Sequence, residues 1–232
     1  MWNYKEKAAM KTGVTMTLSR QALIVPEHIK DLKILLIGAG SIGSMTALML
    51  LRMGVQTLTV YDRDVVNIEN VGPSAYGLND LTKTKLDALH DLVLTTTGIS
   101  ITTKNRFYTS QREQADVVIV TVDSMEARRF IWERQNISGW RLWIDARMGF
   151  DQCSTTTCFS DDSESMEFYA KSIARAGAPL PCGQKATAFI SGGIVVGFIG
   201  TVLTRWIRGL AVPTEIFYKG FVDDAPFFSV ME

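Results

Sequence analysis

Four uninterrupted aliphatics, Ile34-Leu35-Leu36-Ile37, follow a polar, irregular N-terminal stretch and read as a strand buried on both faces. The turn Gly38-Ala39-Gly40-Ser41-Ile42-Gly43 leads into a helical pattern up to Met53, and a second apolar strand reaches Asp62 and Asp64. Asn67 to Asn79, rich in Asn, Gly, Pro and Ser, reads as a loop. Leu81, Lys85, Leu89 and Leu92 fall on neighbouring turns and predict a helix over Leu81 to Leu94 that ends near Gly98. Ile99 to Tyr108 alternates as a strand, Val117 to Val120 is another fully buried one, Met125 to Gln135 is helical, and Leu142 to Ile144 is a short strand ending at Asp145. This alternation predicts an α/β fold: a Rossmann-like, mostly parallel sheet flanked by helices, with right-handed crossovers.

The pattern changes after residue 150. Asp151 to Phe159 is Thr-rich and strand-like, and Ser160 to Cys182 reads as a mobile crossover with an acidic patch and two prolines. Lys185 to Ile207 is a long helix carrying Gly192, Gly193, Gly197 and Gly200. Glycine costs a helix roughly 1 kcal/mol relative to alanine, so this run implies a closely packed partner, either the sheet or a second copy. Glu215 to Val222 and Pro226 to Met231 form a closing antiparallel pair, which puts antiparallel strands at the C-terminal edge of the sheet. Residues 1–30 are expected to be an arm laid against a dimer partner, with Pro26 ending a short helical stretch around Leu18 to Leu23. Residues 31–232 are expected to form one nucleotide-binding domain, of which 151–232 is the C-terminal subregion.

Charge and cysteine usage narrow the partners. Lys+Arg and Asp+Glu number 24 each in 232 residues, so no net charge argues for a nucleic-acid footprint. The apolar run Ala188 to Leu203 is interrupted by Ser191, glycines and Thr201, which reads as a buried helix rather than a membrane span. Cys153, Cys158 and Cys182 make neither a paired metal spacing nor an even disulfide framework, and with no secretory hydrophobic segment at the N-terminus the expectation is a cytoplasmic protein.

The candidate chemistry gathers at the predicted strand ends. Gly38 permits a tight turn, Gly40 lets a ligand approach the backbone, and Gly43 lets helix and strand pack closely. The helix start beginning at Ser41 would aim free N–H groups at an anion, and Asp62 ends the next strand at ribose distance. In an open parallel sheet the ligand lies beyond the C-terminal strand ends, where Asp62 and Asp64, Asp123 and Asp145 also fall. Carboxylates beside a phosphate-cradling turn suit ribose and a metal; magnesium needs only one or two carboxylates, and Lys85 would offset triphosphate charge. The same turn and Asp62 also suit an NAD(P)-binding oxidoreductase, although Asp64, Lys85 and Asp123 have no task in hydride transfer.

These motifs together resemble the ThiF/MoeB family, bacterial relatives of ubiquitin-activating enzymes. The resemblance rests on Gly38 to Gly43; Asp62-Arg63-Asp64-Val65 followed by Asn70; Lys83-Thr84-Lys85; Val118 to Asp123 with Arg128 after it; and Arg20-Gln21. It implies an ATP-dependent adenylyltransferase that activates the C-terminal carboxylate of a ubiquitin-like or other small protein or peptide as an acyl-adenylate, with Mg2+ and a homodimer. It further implies that Asp62 holds the ribose, Asn70 and Lys85 contact phosphates, Asp123 binds magnesium, and Arg20 completes the site across the dimer. Gly38, Gly40, Ser41, Gly43 and Asp64 line the same nucleotide site in this reading.

Departures leave alternatives open. The family's Arg-Gln after the loop asparagine is replaced by Pro73 and Ser74, so a cationic phosphate contact is missing; Arg63, Arg106 and Arg147 are candidates to replace it. Without that contact a non-catalytic dimeric scaffold is an alternative. The paired Cys-x-x-Cys motifs of many members are absent, so no structural zinc is expected. Cys182 lies near where some members carry a reactive cysteine, and equally suits a turn with a buried thiol. A peptide carboxylate is already ionised at neutral pH, so its activation needs positioning and charge neutralisation rather than a general base; His28 and His90, the two histidines, stand apart from every motif.

Overall fold

The structure, a computed structural model, describes residues 18–149, 152–174, 188–220 and 226–231. The strands in chain order are β1 (Lys33–Ile37), β2 (Thr57–Asp62), β3 (Thr102–Asn105), β4 (Glu113–Gln114), β5 (Val117–Val120), β6 (Ile137–Ser138), β7 (Leu142–Met148), β8 (Gln152–Phe159), β9 (Glu215–Lys219) and β10 (Phe227–Met231). The helices are α1 (Ser41–Met53), α2 (Ile68–Val71), α3 (Lys85–Thr97), α4 (Met125–Arg134), α5 (Ser163–Ala174) and α6 (Phe189–Ile207). Eight strands form one sheet in the order β10-β9-β8-β7-β5-β1-β2-β3. From β7 to β3 the neighbours are parallel, and β8, β9 and β10 join antiparallel. The short strands β4 and β6 pair separately.

The continuous apolar runs of β1 and β5 are explained by two cores. Ile34 and Leu36 join one core with residues of α1, α3 and α6, while Leu35 and Ile37 face the other, with Ile131 of α4 and Tyr169 and Ile173 of α5. Alternate residues of a strand face opposite sides, so only a strand covered on both faces has no polar position. In the second core Trp132 meets Trp143 and Tyr169 edge-on, at centroid distances of 5.1 and 4.8 Å. That places these tryptophans as packing anchors.

Several boundaries differ from the sequence expectation. The third helix begins at Lys85, where Thr84 accepts a hydrogen bond from Asp87 N–H at 3.0 Å, so Leu81 precedes it in a loop. A threonine cap outranks leucine periodicity here because it satisfies an otherwise orphaned donor. The strand expected over Ile99 to Tyr108 is confined to Thr102–Asn105, and the one expected to stop near Asp145 continues to Met148 because β8 pairs with it. The expected crossover after Ser160 contains α5, whose buried Tyr169 and Ile173, one turn apart, face the core. The start expected for the long helix, residues 185–187, lies outside the described residues, as do 1–17 of the expected arm.

The glycines of α6 are not equivalent. A side chain at Gly200 would come within 2.9 Å of Met49 Sδ, and one at Gly192 would collide with Met45, so the close partner of these two glycines is α1 rather than the sheet. Gly193 and Gly197 face open space. α6 is long and apolar enough by composition to cross a membrane, but it packs one face on α1, β7 and β8, with Val195, Ile199, Val202 and Leu203 fully buried.

Candidate nucleotide site

The site is built on the turn after β1. Gly38 adopts φ +103°, with its N–H donating to Tyr61 O at 2.8 Å, a conformation that disfavours any side chain. A side chain on Gly43 would lie 2.8 Å from Thr121 Oγ1 and would collide with Gly38, so its role is close packing. Gly40 differs: nothing lies within 4 Å of where its side chain would be. Gly40 is also the N-cap of α1, and no side chain caps that end. No side chain therefore caps the amide end of this 13-residue helix, and the space beside Gly40 is open, as an anion at a helix start requires.

Asp62 closes the turn from the next strand. Its Oδ2 accepts from Ala39 N–H at 2.7 Å and its Oδ1 from Asp64 N–H at 2.8 Å. Both carboxylate oxygens keep acceptor capacity for ribose hydroxyls. Three residues to which the sequence assigned no individual role complete the frame. Thr121 Oγ1 donates to Gly38 O at 2.9 Å, and the buried Tyr76 donates to Ala39 O at 2.6 Å. Ser44 Oγ accepts from Ala75 N–H at 3.1 Å, tying the loop that carries Tyr76 to α1. Thr121 had a legible signal, a hydroxyl directly after an all-apolar strand; Tyr76, inside a polar loop, had none.

The loop between β2 and α3 is folded back over this turn. Ser41 donates to Pro73 O, so its hydroxyl is used internally and its contribution to a ligand is its N–H. Asn70 Oδ1 accepts from Asn67 N–H at 2.9 Å in a capping box that starts α2. Lys85 is buried, and its Nζ lies 2.8 Å from Oδ2 of the more exposed Asp64. Lys85 N–H also donates to Asp64 O at 2.8 Å, which fixes the ammonium at the C-terminal edge of the sheet. Among the described residues no three His, Cys, Asp or Glu side chains gather as a metal cage.

At the tip of β5, Asp123 is exposed, and the cap of α4 is supplied by its neighbour: Ser124 Oγ accepts from Ala127 N–H at 3.1 Å. Arg128 is buried, donates to Val122 O and to Ala146 O (3.0 Å), and pairs with Asp145. It thereby ties the loop leading into Asp123 to the overhanging end of β7. Burial, then the nearby Arg147 charge, lowers the Arg128 pKa to about 10. Asp145 is fully buried rather than open at a strand tip, and it also holds Arg147 Nε at 2.7 Å, while Arg147 Nη2 donates to Ser172 Oγ at 2.8 Å. Asp145 and Arg147 thus form a structural ion pair, and Arg147 is committed to it. Arg63 lies over the Phe107 ring, 3.7 Å from its centroid.

Arg20 is exposed at the opposite pole. Its neighbour Leu18 lies against Gly54 at the C-cap of α1, and Gln21 Nε2 donates to Arg52 O at 3.0 Å. The rise along α1 puts that end about 20 Å from the glycine turn, so Arg20 does not serve the site of its own chain. Cys182 lies outside the described residues. Cys153 and Cys158 are buried and free, with burial raising their thiols to about 11 and about 12.

The ThiF family profile matches residues 18–222. The chain belongs to the ThiF family. Among curated relatives, ubiquitin-like modifier-activating enzyme 5 of Oryza sativa subsp. japonica is 28% identical over 159 residues, 60% of this chain and 38% of that protein. This ThiF-family chain therefore matches well under half the length of that relative. Among solved structures, E. coli MccB with AMPCPP and MccA superposes with a TM-score of 0.66 at 15% identity, over 90% of this chain and 66% of that one. PaaA superposes with a TM-score of 0.67 at 17% identity, over 98% of this chain and 82% of the other. Both place the ThiF fold on this chain.

Proposed function

We propose that the chain is an ATP-dependent adenylyltransferase that activates the C-terminal carboxylate of a ubiquitin-like protein or another small protein or peptide. The observation that carries the reading is the uncapped amide end of α1 beneath the open space at Gly40, with Asp62 beside it. Membership of the family, the activating-enzyme relatives and the presence of ATP in a crystal structure of E. coli MccB support it.

In this reading the α1 amides hold phosphate oxygens, Asp62 holds the ribose and Lys85 neutralises triphosphate charge. Asp123, with one carboxylate at the tip of β5, would hold Mg2+, which supplies further charge neutralisation on the phosphates. The substrate carboxylate oxygen bonds to the α-phosphorus while the bond to pyrophosphate breaks. The attacking oxygen carries no proton, so no side chain need remove one. What the chain must do is align two anions and offset their repulsion. We place Arg20 in the site of a second copy, because its own site is out of reach, and this makes a homodimer the working unit. A cytoplasmic location is proposed from the free, buried Cys153 and Cys158.

A non-catalytic reading is favoured by one observation: Pro73 stands where a cation was expected, with its carbonyl engaged by Ser41. Magnesium-dependent exchange of labelled pyrophosphate into ATP, with candidate partners ending in Gly-Gly, separates the two. The expected result is exchange in the wild type, loss in Asp123→Ala and in Arg20→Ala, and partial recovery when those two inactive variants are mixed. Absence of exchange with bound ATP would favour the scaffold.

A further inference from the structure

A cleft of about 410 Å³ opens at the N-terminal edge of the parallel strands, away from the glycine turn. Leu32, in its lining, precedes β1, whereas Gly38 follows that strand, so the two places lie roughly 17 Å apart by the rise along β1. The volume is within the range of small-molecule sites, about 300–1,000 Å³. Its buried and half-buried lining is apolar: Leu32, Phe159 at the end of β8, and Trp206 and Ile207 at the end of α6. Its exposed lining is polar and includes Arg141 and Asp161.

The sheet register brings these two opposite charges to one place. Leu142 stands opposite Phe159, which puts Arg141 beside Ser160, whose N–H donates to Arg141 O at 3.4 Å, and Asp161 follows directly. Arg141 and Asp161 nevertheless do not pair with each other. Among the described residues the Arg141 side chain bonds only to Asp116, at 3.3 Å and with the guanidinium largely exposed, a contact that holds it weakly, and Asp161 has no cationic partner. The Arg141 guanidinium lies over the Trp206 ring, 4.9 Å from its centroid, which orients the planar fork and leaves its other N–H groups able to donate. His28 Nε2 donates to Ile207 O at 3.2 Å and fastens the chain before β1 to the end of α6, so the apolar part of the cleft is held from both sides.

We infer that this cleft binds a free α-amino acid with a large apolar side chain. Arg141 takes the carboxylate, Asp161 takes the ammonium, and the side chain lies against Leu32, Phe159 and Trp206. A simple carboxylate would be attracted by Arg141 and repelled by Asp161, and a simple amine the reverse, so only a molecule carrying both charges satisfies the pair. The adenylation chemistry uses none of these residues, and binding here is separate from the nucleotide site.

Calorimetry with L-phenylalanine, 3-phenylpropionate and 2-phenylethylamine as probes tests it on the wild type, Arg141→Gln and Asp161→Asn. Both substitutions fall on exposed side chains. The wild type is expected to bind L-phenylalanine more tightly than either fragment. Loss of one charge-assisted contact should weaken L-phenylalanine about tenfold in each variant, and Asp161→Asn should bind 3-phenylpropionate at least as well as the wild type does. No binding of L-phenylalanine by the wild type would overturn the site, as would binding that survives both substitutions. Wild-type binding of 3-phenylpropionate as tight as that of L-phenylalanine would overturn the amino-acid class.

Discussion

Asp62 reaches across from the tip of β2 to accept the Ala39 N–H at 2.7 Å, so one carboxylate closes the glycine turn. Its second oxygen takes the Asp64 N–H, which in turn places the partner of Lys85. Asp62→Ala is expected to lower unfolding free energy by about 1.5–3 kcal/mol, the usual worth of hydrogen bonds to a charged group, and also to abolish nucleotide binding. Urea unfolding and calorimetry on the same preparation check both. A variant that loses binding with unchanged stability would mean the turn does not depend on this carboxylate.

Gly40 and Gly43 make a matched pair, three residues apart, with opposite expectations. Gly40→Ala adds a methyl group into empty space, so stability should change by less than about 1 kcal/mol while ATP affinity falls sharply. Gly43→Ala pushes a methyl group into Gly38 and Thr121 and should cost about 1–3 kcal/mol or more. Thermal unfolding with and without Mg-ATP distinguishes them. The ordering of the two melting temperatures is the decisive quantity.

At the tip of β5 the cap and the candidate metal ligand are adjacent but separate. Ser124→Ala removes the acceptor for Ala127 N–H and should cost about 1 kcal/mol while leaving pyrophosphate exchange at least partly intact. Asp123→Ala should eliminate exchange. If exchange survives in Asp123→Ala, the carboxylate does not hold the metal.

Thr82 adopts φ +70°, a left-handed conformation that a β-branched residue strongly disfavours. It is held there because its N–H donates to Val66 O at 3.1 Å just before the motif that carries Lys85. Thr82→Gly relieves about 1–2 kcal/mol of strain and gives back part of it as unfolded-chain entropy, so a net gain of about 0.5–1 kcal/mol is expected. Chemical denaturation measures it. A loss of stability would show that the threonine side chain is itself needed.

The parallel half of the sheet was legible because β1 from Ile34 onward and the whole of β5 contain no polar residue, and the glycine turn was legible because Gly38, Gly40 and Gly43 stand at a strand-to-helix junction. α5 was less so: its exposed face is polar and its apolar contacts, Tyr169 and Ile173, are sparse. Asp145 misled for a related reason. A carboxylate ending a buried strand looks available until the neighbours that neutralise it are known, and those neighbours, Arg128 and Arg147, come from elsewhere along the chain or from the overhang of the same strand.

Local chemistry is written in order along the chain, so the sequence alone determined the strand-helix alternation, the glycine turn that opens α1 and the acidic tip of β2. Which groups face one another across the sheet is a matter of three-dimensional proximity, and only the tertiary structure decided it. It was the folded chain that put Tyr76 on the glycine turn, sealed Asp145 behind two arginines, set Arg20 at the far end of α1, and laid Arg63 on Phe107. The physical reason is that hydrogen bonds and ion pairs act over a few ångströms, whereas these partners are separated by tens of residues or are brought together by strands that meet only once the sheet has formed.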